Sequence, residues 1–187
     1  YWLFRIIGTP WLTSVGSLLT QAALAFHMPV KGLVRATIFK QFCGGETIDE
    51  SLRTADRLAQ SGVGTILDYS VEGQDDQPSM DATTEEVLRT IAAAKGNAHI
   101  PFSVFKPSGI IRTDVLTKRS AKEAMNTEEA AAWARGRRRV ERICQAAYDA
   151  DVPVLVDAED SWMQDAIDEL TTEMMQRFNT RRALVYN

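Results

Sequence analysis

Histidine and cysteine are scarce in this sequence, with two of each in 187 residues. Cys43 and Cys144 lie far apart, in neither a metal-ligand nor a redox spacing. Cys144 falls among Val140, Ile143 and Ala147, which predicts a buried, reduced thiol and a reducing, cytoplasmic setting. His27 and His99 are isolated, and no chemistry is expected of either. Long apolar runs are missing too. The stretch TPWLTSVGSLLTQAALAF is too short to span a bilayer and is interrupted by Thr13, Ser14, Ser17, Thr20 and Gln21. It has no basic region followed by a small-residue cleavage site. It reads as an amphipathic helix packed on the domain, with a peripheral membrane contact as the second reading. Because the chain begins at Tyr1 rather than Met, its true start is expected to be missing. Excess positive charge is absent: the net charge is −4 and the pI about 5.3, which leaves no electrostatic footprint for nucleic acid. The basic cluster of Arg135, Arg137, Arg138, Arg139 and Arg142 sits in a Glu-bearing helical stretch and reads as a solvated helix face. No G-x-G-x-x-G, P-loop or G-x-S-x-G follows any strand, which weakens dinucleotide-binding and hydrolase readings. There is no internal repeat.

What remains is an ordinary globular composition, 45% apolar and 25% charged, long enough for one domain with a real core. From Thr47 onward helical and strand patterns alternate. Thr47-Ile-Asp-Glu50 is a capping box, followed by Leu52, Ala55, Leu58 and Ala59 at helical spacing; Gly62 and Gly64 end that helix. Thr65 to Asp68 is a short strand, and GQDDQPSMDA a polar loop. A second capping box, Thr83-Thr-Glu-Glu86, opens a helix with Val87, Leu88, Ile91 and Ala92 inward. Ile100 to Phe105 is the next strand, stopping at Lys106-Pro107. After an insertion near residues 112–126 comes a long helix from about Thr127 to Ala150, then a strand from Val152 to Val156. Trp162, Ala166, Ile167, Leu170, Met174 and Phe178 trace one inward helical face, and Ala183 to Tyr186 is a fourth strand. This rhythm predicts a parallel sheet.

Each strand ends on a polar side chain: Asp68, Lys106, Asp157 and Asn187. In VPVLVDAE the apolar run meets two carboxylates, Asp157 and Glu159. A buried unpaired carboxylate costs several kcal/mol, roughly, so such groups have a partner or a task. An Asp after a strand often caps the following helix. Four polar terminators on one edge instead suggest a shared mouth, as at the carboxy-terminal face of a (β/α)8 barrel. Lys106 can anchor an anionic substrate, form a Schiff base, or pair with a neighbouring carboxylate. Beside Asp157, each would hold the other ionised.

The blocks ATIFKQFCGGET, TILDYSVEG, IPFSVFKPSGI, VPVLVDAEDSWMQDAID and LVYN, in that order from about Leu33 to Asn187, resemble proline dehydrogenase, most closely its monofunctional bacterial form. The resemblance implies an α/β fold of the (β/α)8 TIM-barrel type binding FAD, with proline stacked on the flavin and hydride passing to its N5. The product would be Δ1-pyrroline-5-carboxylate, and a membrane quinone would take the electrons. By motif, Lys106 in VFKPSG matches the lysine that ion-pairs with the proline carboxylate and lies by the cofactor. Asp157 in DAE matches the active-site aspartate, Ala158 lies where the backbone approaches the flavin, and Glu72 in DYSVE matches a glutamate that closes a gate over the substrate.

A complete barrel needs eight strands and about 250 residues. Only about the first four βα units are visible, so residues 1–46 are expected to be an N-terminal helical segment and residues 47–187 the first half of a barrel. The family's last-helix arginines and most flavin contacts are missing, and this fragment alone is expected to be inactive. Open sheet edges would favour a homo-oligomer. Localisation is expected to be cytoplasmic, peripheral at the inner membrane if quinone is the acceptor. Two alternatives stand beside this reading: a catalytically silent half-barrel that serves folding or assembly, and an aldolase-type lyase using Lys106 as Schiff-base nucleophile.

Overall fold

A computed structural model describes residues 8–26 and 29–187; His27 lies outside the described residues. The chain divides into two compact units, Tyr1–Glu46 and Thr47–Asn187. In the first, helix α1 spans Pro10–Ala25. The hydroxyls that interrupt its apolar pattern turn back on the helix: Ser14 donates to the Pro10 carbonyl at 3.0 Å and Thr20 to that of Gly16 at 2.8 Å. A short helix α2 (Lys31–Val34), a π-helical turn (Arg35–Phe39) and α3 (Lys40–Phe42) follow. Among the described residues no helix is long and apolar enough to cross a membrane.

The second unit runs α4 (Ile48–Ala59), β1 (Ile66–Leu67), α5 (Gln77–Ala94), β2 (Phe102–Phe105), α6 (Thr113–Ser120), α7 (Thr127–Ala150), β3 (Val154–Val156), α8 (Ser161–Phe178) and β4 (Val185–Tyr186). All four strands are parallel, in the order β1-β2-β3-β4. Ile66 lies opposite Phe102, Ser103 opposite Val154, and Val154 opposite Val185. Parallel pairing in sequence order with helical crossovers puts all carboxy-terminal strand ends on one edge, as in the opening half of a (β/α)8 barrel. Phe105, Val154 and Val156 of the sheet share a core with Val87 and Ile91 of α5, Ile143 and Cys144 of α7, and Ile167, Leu170 and Met174 of α8.

The α7 backbone is pressed close to its neighbours at Gly136. A Cβ there would stand 2.5, 2.9 and 3.0 Å from three side-chain carbons of Ile111, which is itself fully buried. Gly136→Ala gains about 1 kcal/mol of helix propensity but overpacks this contact at a cost of roughly 1–3 kcal/mol, so the midpoint of urea unfolding is expected to fall. Cys144 is buried and Cys43 exposed; burial pushes the Cys144 thiol up to about 12. A thiol reagent at pH 8 is therefore expected to label Cys43 in the native chain and Cys144 only after unfolding.

Several sequence expectations are corrected. Residues 77–82 are helix rather than loop, and the supposed second capping box at Thr83 lies inside α5. The true cap is Asp76, whose carboxylate accepts the Ser79 N–H at 2.8 Å, with Pro78 in the first turn where a missing N–H costs nothing. Trp162 is 57% exposed; Met163 takes the inward place on α8. Leu58 is also exposed, leaving Ala55 as the buried residue of α4. The arginine cluster is not simply a solvated face. Arg139 is buried and donates to Asp81 at 2.8 Å, to Gln77 at 2.6 Å and to the Ile110 carbonyl at 3.0 Å. Arg137 pairs with Glu173 of α8 and Arg142 with Glu85 of α5. Periodicity marked the charged positions of α7 but not that flanking helices supply acceptors on both sides. The stretch near residues 112–126 contains α6, whose Val115 and Leu116 are fully buried.

Candidate active site

Pro107 ends β2 because it has no N–H to continue the ladder. The chain turns there through a 3-10 turn, Pro107–Gly109, with the Gly109 N–H donating to the Lys106 carbonyl at 3.1 Å. Lys106 is thus fixed at the sheet edge by its backbone. One strand over, the Asp157 N–H donates to the Phe105 carbonyl at 3.0 Å, which continues the β2–β3 pairing one residue beyond β3. Lys106 and Asp157 are therefore brought side by side by register alone.

Their side chains meet: the Lys106 ammonium bonds Asp157 Oδ2 and lies 3.2 Å from Glu72 Oε1. Lys106 is only 15% exposed, against 41% for Asp157 and 60% for Glu72. Its bond to Asp157, helped by Glu72 and opposed by partial burial, holds the ammonium charged well above the ordinary lysine range. A Schiff-base nucleophile must be a neutral amine, so this arrangement argues against the lyase reading.

The other two strand terminators lie on the same edge but turn elsewhere. The Ser70 hydroxyl donates to the Asp68 carboxylate, and the Asn187 amide donates to Asp168 Oδ1 at 2.8 Å. Ala158 is exposed and carries only a methyl group, between two residues whose carboxylates point to Lys106 and Ser108.

Two residues assigned no role from sequence complete the rim. Glu159 is half-buried and accepts the Ser108 N–H at 2.9 Å and the Ser108 hydroxyl at 2.6 Å. Burial pushes its carboxyl upward, against the lowering effect of the Ser108 donors and the Lys106 charge. This answers why VPVLV ends on two acids: one meets Lys106 and the other meets Ser108. The Glu159 N–H in turn donates to Gln164 Oε1 at 2.9 Å, and the Gln164 amide donates to Asp168 at 2.7 Å. A carboxylate three residues past an apolar run is the available signal for Glu159. Nothing comparable marked Ser108.

The family described as Proline dehydrogenase matches residues 51–187. The chain belongs to the proline dehydrogenase family. Among curated proteins it is 38% identical over 144 residues to the carbapenem antibiotics biosynthesis protein CarD of Pectobacterium carotovorum subsp. carotovorum, covering 77% of this chain and 38% of that one. It is 28% identical over 201 residues to mitochondrial proline dehydrogenase 1 of Dictyostelium discoideum, covering 88% of this chain and 35% of the relative. Mitochondrial proline dehydrogenase 1 of Arabidopsis thaliana is 28% identical over 221 residues, covering 97% of this chain and 44% of the relative. The chain thus spans less than half the length of these proline dehydrogenase relatives. Its fold is shared with the crystal structure of proline utilization A (PutA) from Bdellovibrio bacteriovorus inactivated by N-propargylglycine, with a TM-score of 0.62 and 14% identity over 82% of this chain and 17% of that one. The resemblance read from the sequence blocks and the (β/α)-type fold are both borne out.

Proposed function

We propose that this chain supplies the Lys106 side of the active site of an FAD-dependent enzyme that oxidises L-proline to Δ1-pyrroline-5-carboxylate. The observation that carries the reading is Lys106, held charged at a strand end between Asp157 and Glu72. Proline is a zwitterion, and this cluster offers both complements. The Lys106 ammonium binds the substrate carboxylate, while Asp157 and Glu72 favour the substrate's ring ammonium. Glu72 is the most exposed of the three, so its side chain has the most room to turn aside as substrate enters. Oxidation takes a hydride from the carbon next to nitrogen and a proton from nitrogen, leaving a C=N bond.

FAD, when bound, would supply the two-electron acceptor for this oxidation, with a quinone as the final acceptor class. The residues present fit a flat ring at this edge. Ala158 offers backbone and a methyl group rather than a bulky side chain, and Lys106 brings a positive charge beside it. A quinone acceptor would call for a contact with the membrane that holds the quinone.

The test uses the intact polypeptide that contains these residues. It is expected to purify with a flavin absorbance band and to reduce a dye in the presence of L-proline. A polypeptide that neither carries nor takes up FAD, and reduces no dye with proline, would remove the reading.

A further inference from the structure

Ser108 is 3% exposed, sits directly beyond Lys106-Pro107, and makes four hydrogen bonds to two other segments. Its N–H and hydroxyl donate to the two oxygens of Glu159, just past β3. Its hydroxyl oxygen accepts the Gly73 N–H at 3.3 Å, and its carbonyl accepts the Gln74 N–H at 3.1 Å. Gly73 and Gln74 immediately follow Glu72, the carboxylate that reaches across to Lys106. The next residue allows the loop to lie there at all. A Cβ on Gly109 would fall well inside contact distance of the Val71 carbonyl oxygen, and 3.3 Å from Thr83 Cγ2.

The Glu72 side chain is mostly exposed, and its carbonyl accepts only a long bond, 3.4 Å, from the Gln74 side-chain amide. A carboxylate on a polar loop would ordinarily sample many positions. Here the backbone on its carboxyl side is fastened to a buried serine, and that serine is fastened to a half-buried carboxylate.

We propose that Ser108, braced by Glu159, is a positioning residue: it clips the loop after β1 to the end of β2 and so sets where the Glu72 carboxylate stands relative to Lys106. The assignment of Glu72 to the substrate side of the site rests on the proposed function above; the clip itself does not.

The experiment is carried out on the intact polypeptide with Ser108→Ala, Glu159→Gln, Glu72→Gln and the Ser108→Ala/Glu72→Gln pair. Amide hydrogen exchange at Gly73 and Gln74 reads the clip without reference to activity. Ser108→Ala removes the acceptor of the Gly73 N–H but keeps the carbonyl that accepts the Gln74 N–H, so exchange is expected to speed most at Gly73 and less at Gln74 while the strand amide of Val154 stays protected; Glu159→Gln is expected to give an intermediate effect. If Ser108→Ala does not fold, Glu159→Gln alone decides the matter. Unchanged exchange at Gly73 and Gln74 in the folded variant overturns the proposal. Steady-state kinetics then read the consequence. Loss of these hydrogen bonds is expected to raise KM for proline on the order of tenfold, with a smaller change in kcat. In the Glu72→Gln background the same serine change is expected to add little, because its effect passes through Glu72. Full additivity of the two changes would show that Ser108 acts independently of Glu72 and would also overturn the proposal. Faster exchange in a protein that does not oxidise proline leaves the clip standing and removes the proposed function instead.

Discussion

Lys106→Ala in the intact enzyme is expected to lower kcat/KM for L-proline on the order of 10²- to 10³-fold, with most of the loss in KM. The basis is chemical. On the proposed function the substrate carboxylate would lose the ammonium that binds it, and truncating one partner of a hydrogen-bonded, largely shielded charge pair costs roughly 2–5 kcal/mol. Two features of the site sharpen the expectation. Lys106 cannot be replaced by a neighbour, since the groups beside it are the carboxylates Asp157 and Glu72. Without the lysine, those two acids face the incoming carboxylate directly and repel it. Stability, by contrast, should change little, because Asp157 and Glu72 remain open enough for water to solvate them. Lys106→Arg keeps the charge but not the compact ammonium geometry and is expected to recover only part of the loss. Steady-state kinetics with proline, alongside thermal unfolding of each variant, give the comparison. A Lys106→Ala enzyme with an unchanged KM would show that the substrate carboxylate binds elsewhere.

Phe105→Ala carries the largest expected effect on stability. Phe105 is 1% exposed and is among the largest fully buried side chains, in contact with the common core of sheet and helices. Truncating such a ring costs about 3–5 kcal/mol, since the lost transfer energy is joined by the cavity left behind. For a unit of this size that corresponds to a fall in melting temperature of about 10 °C or more. The consequence extends to the site, because the Phe105 carbonyl accepts the Asp157 N–H and Phe105 is registered with Val156. A slackened β2 end therefore also loosens the pairing of Lys106 with Asp157. A loss of less than about 1 kcal/mol in chemical denaturation would mean that the ring does not occupy a tightly packed interior.

Which parts of this molecule could be read from the sequence follows from how local their causes are. The four strands were legible because short apolar, β-branched runs stop abruptly at Asp68, Lys106, Asp157 and Asn187. The cap at Thr47, whose hydroxyl accepts the Glu50 N–H at 3.2 Å, was legible for the same reason. The start of α5 was missed because Asp76 and Pro78 lie in a polar stretch that looks like a loop, although an Asp followed by Pro in the first turn is itself a helix start. The spacing of Trp162 suits the apolar stripe, yet in the first turn of α8 its side chain is 57% exposed. Arg139 looked like one more surface cation; its burial depends on Gln77 and Asp81 arriving from α5. In the site, Lys106 and Asp157 could be paired from strand register in principle. The Ser108–Glu159 brace could not, because it depends on how the turn after β2 folds back, and Gly109 reveals its reason only when the Val71 carbonyl is seen against it.

The spatial order of the strands is their order in the chain, and each hydrogen-bonds the strand made just before it. A polypeptide emerging from the ribosome can therefore add each βα unit to a template that already exists, without waiting for a distant segment to arrive. Such vectorial growth keeps the newly formed edges of β1, β2 and β3 short-lived, since the unit made after each one covers it.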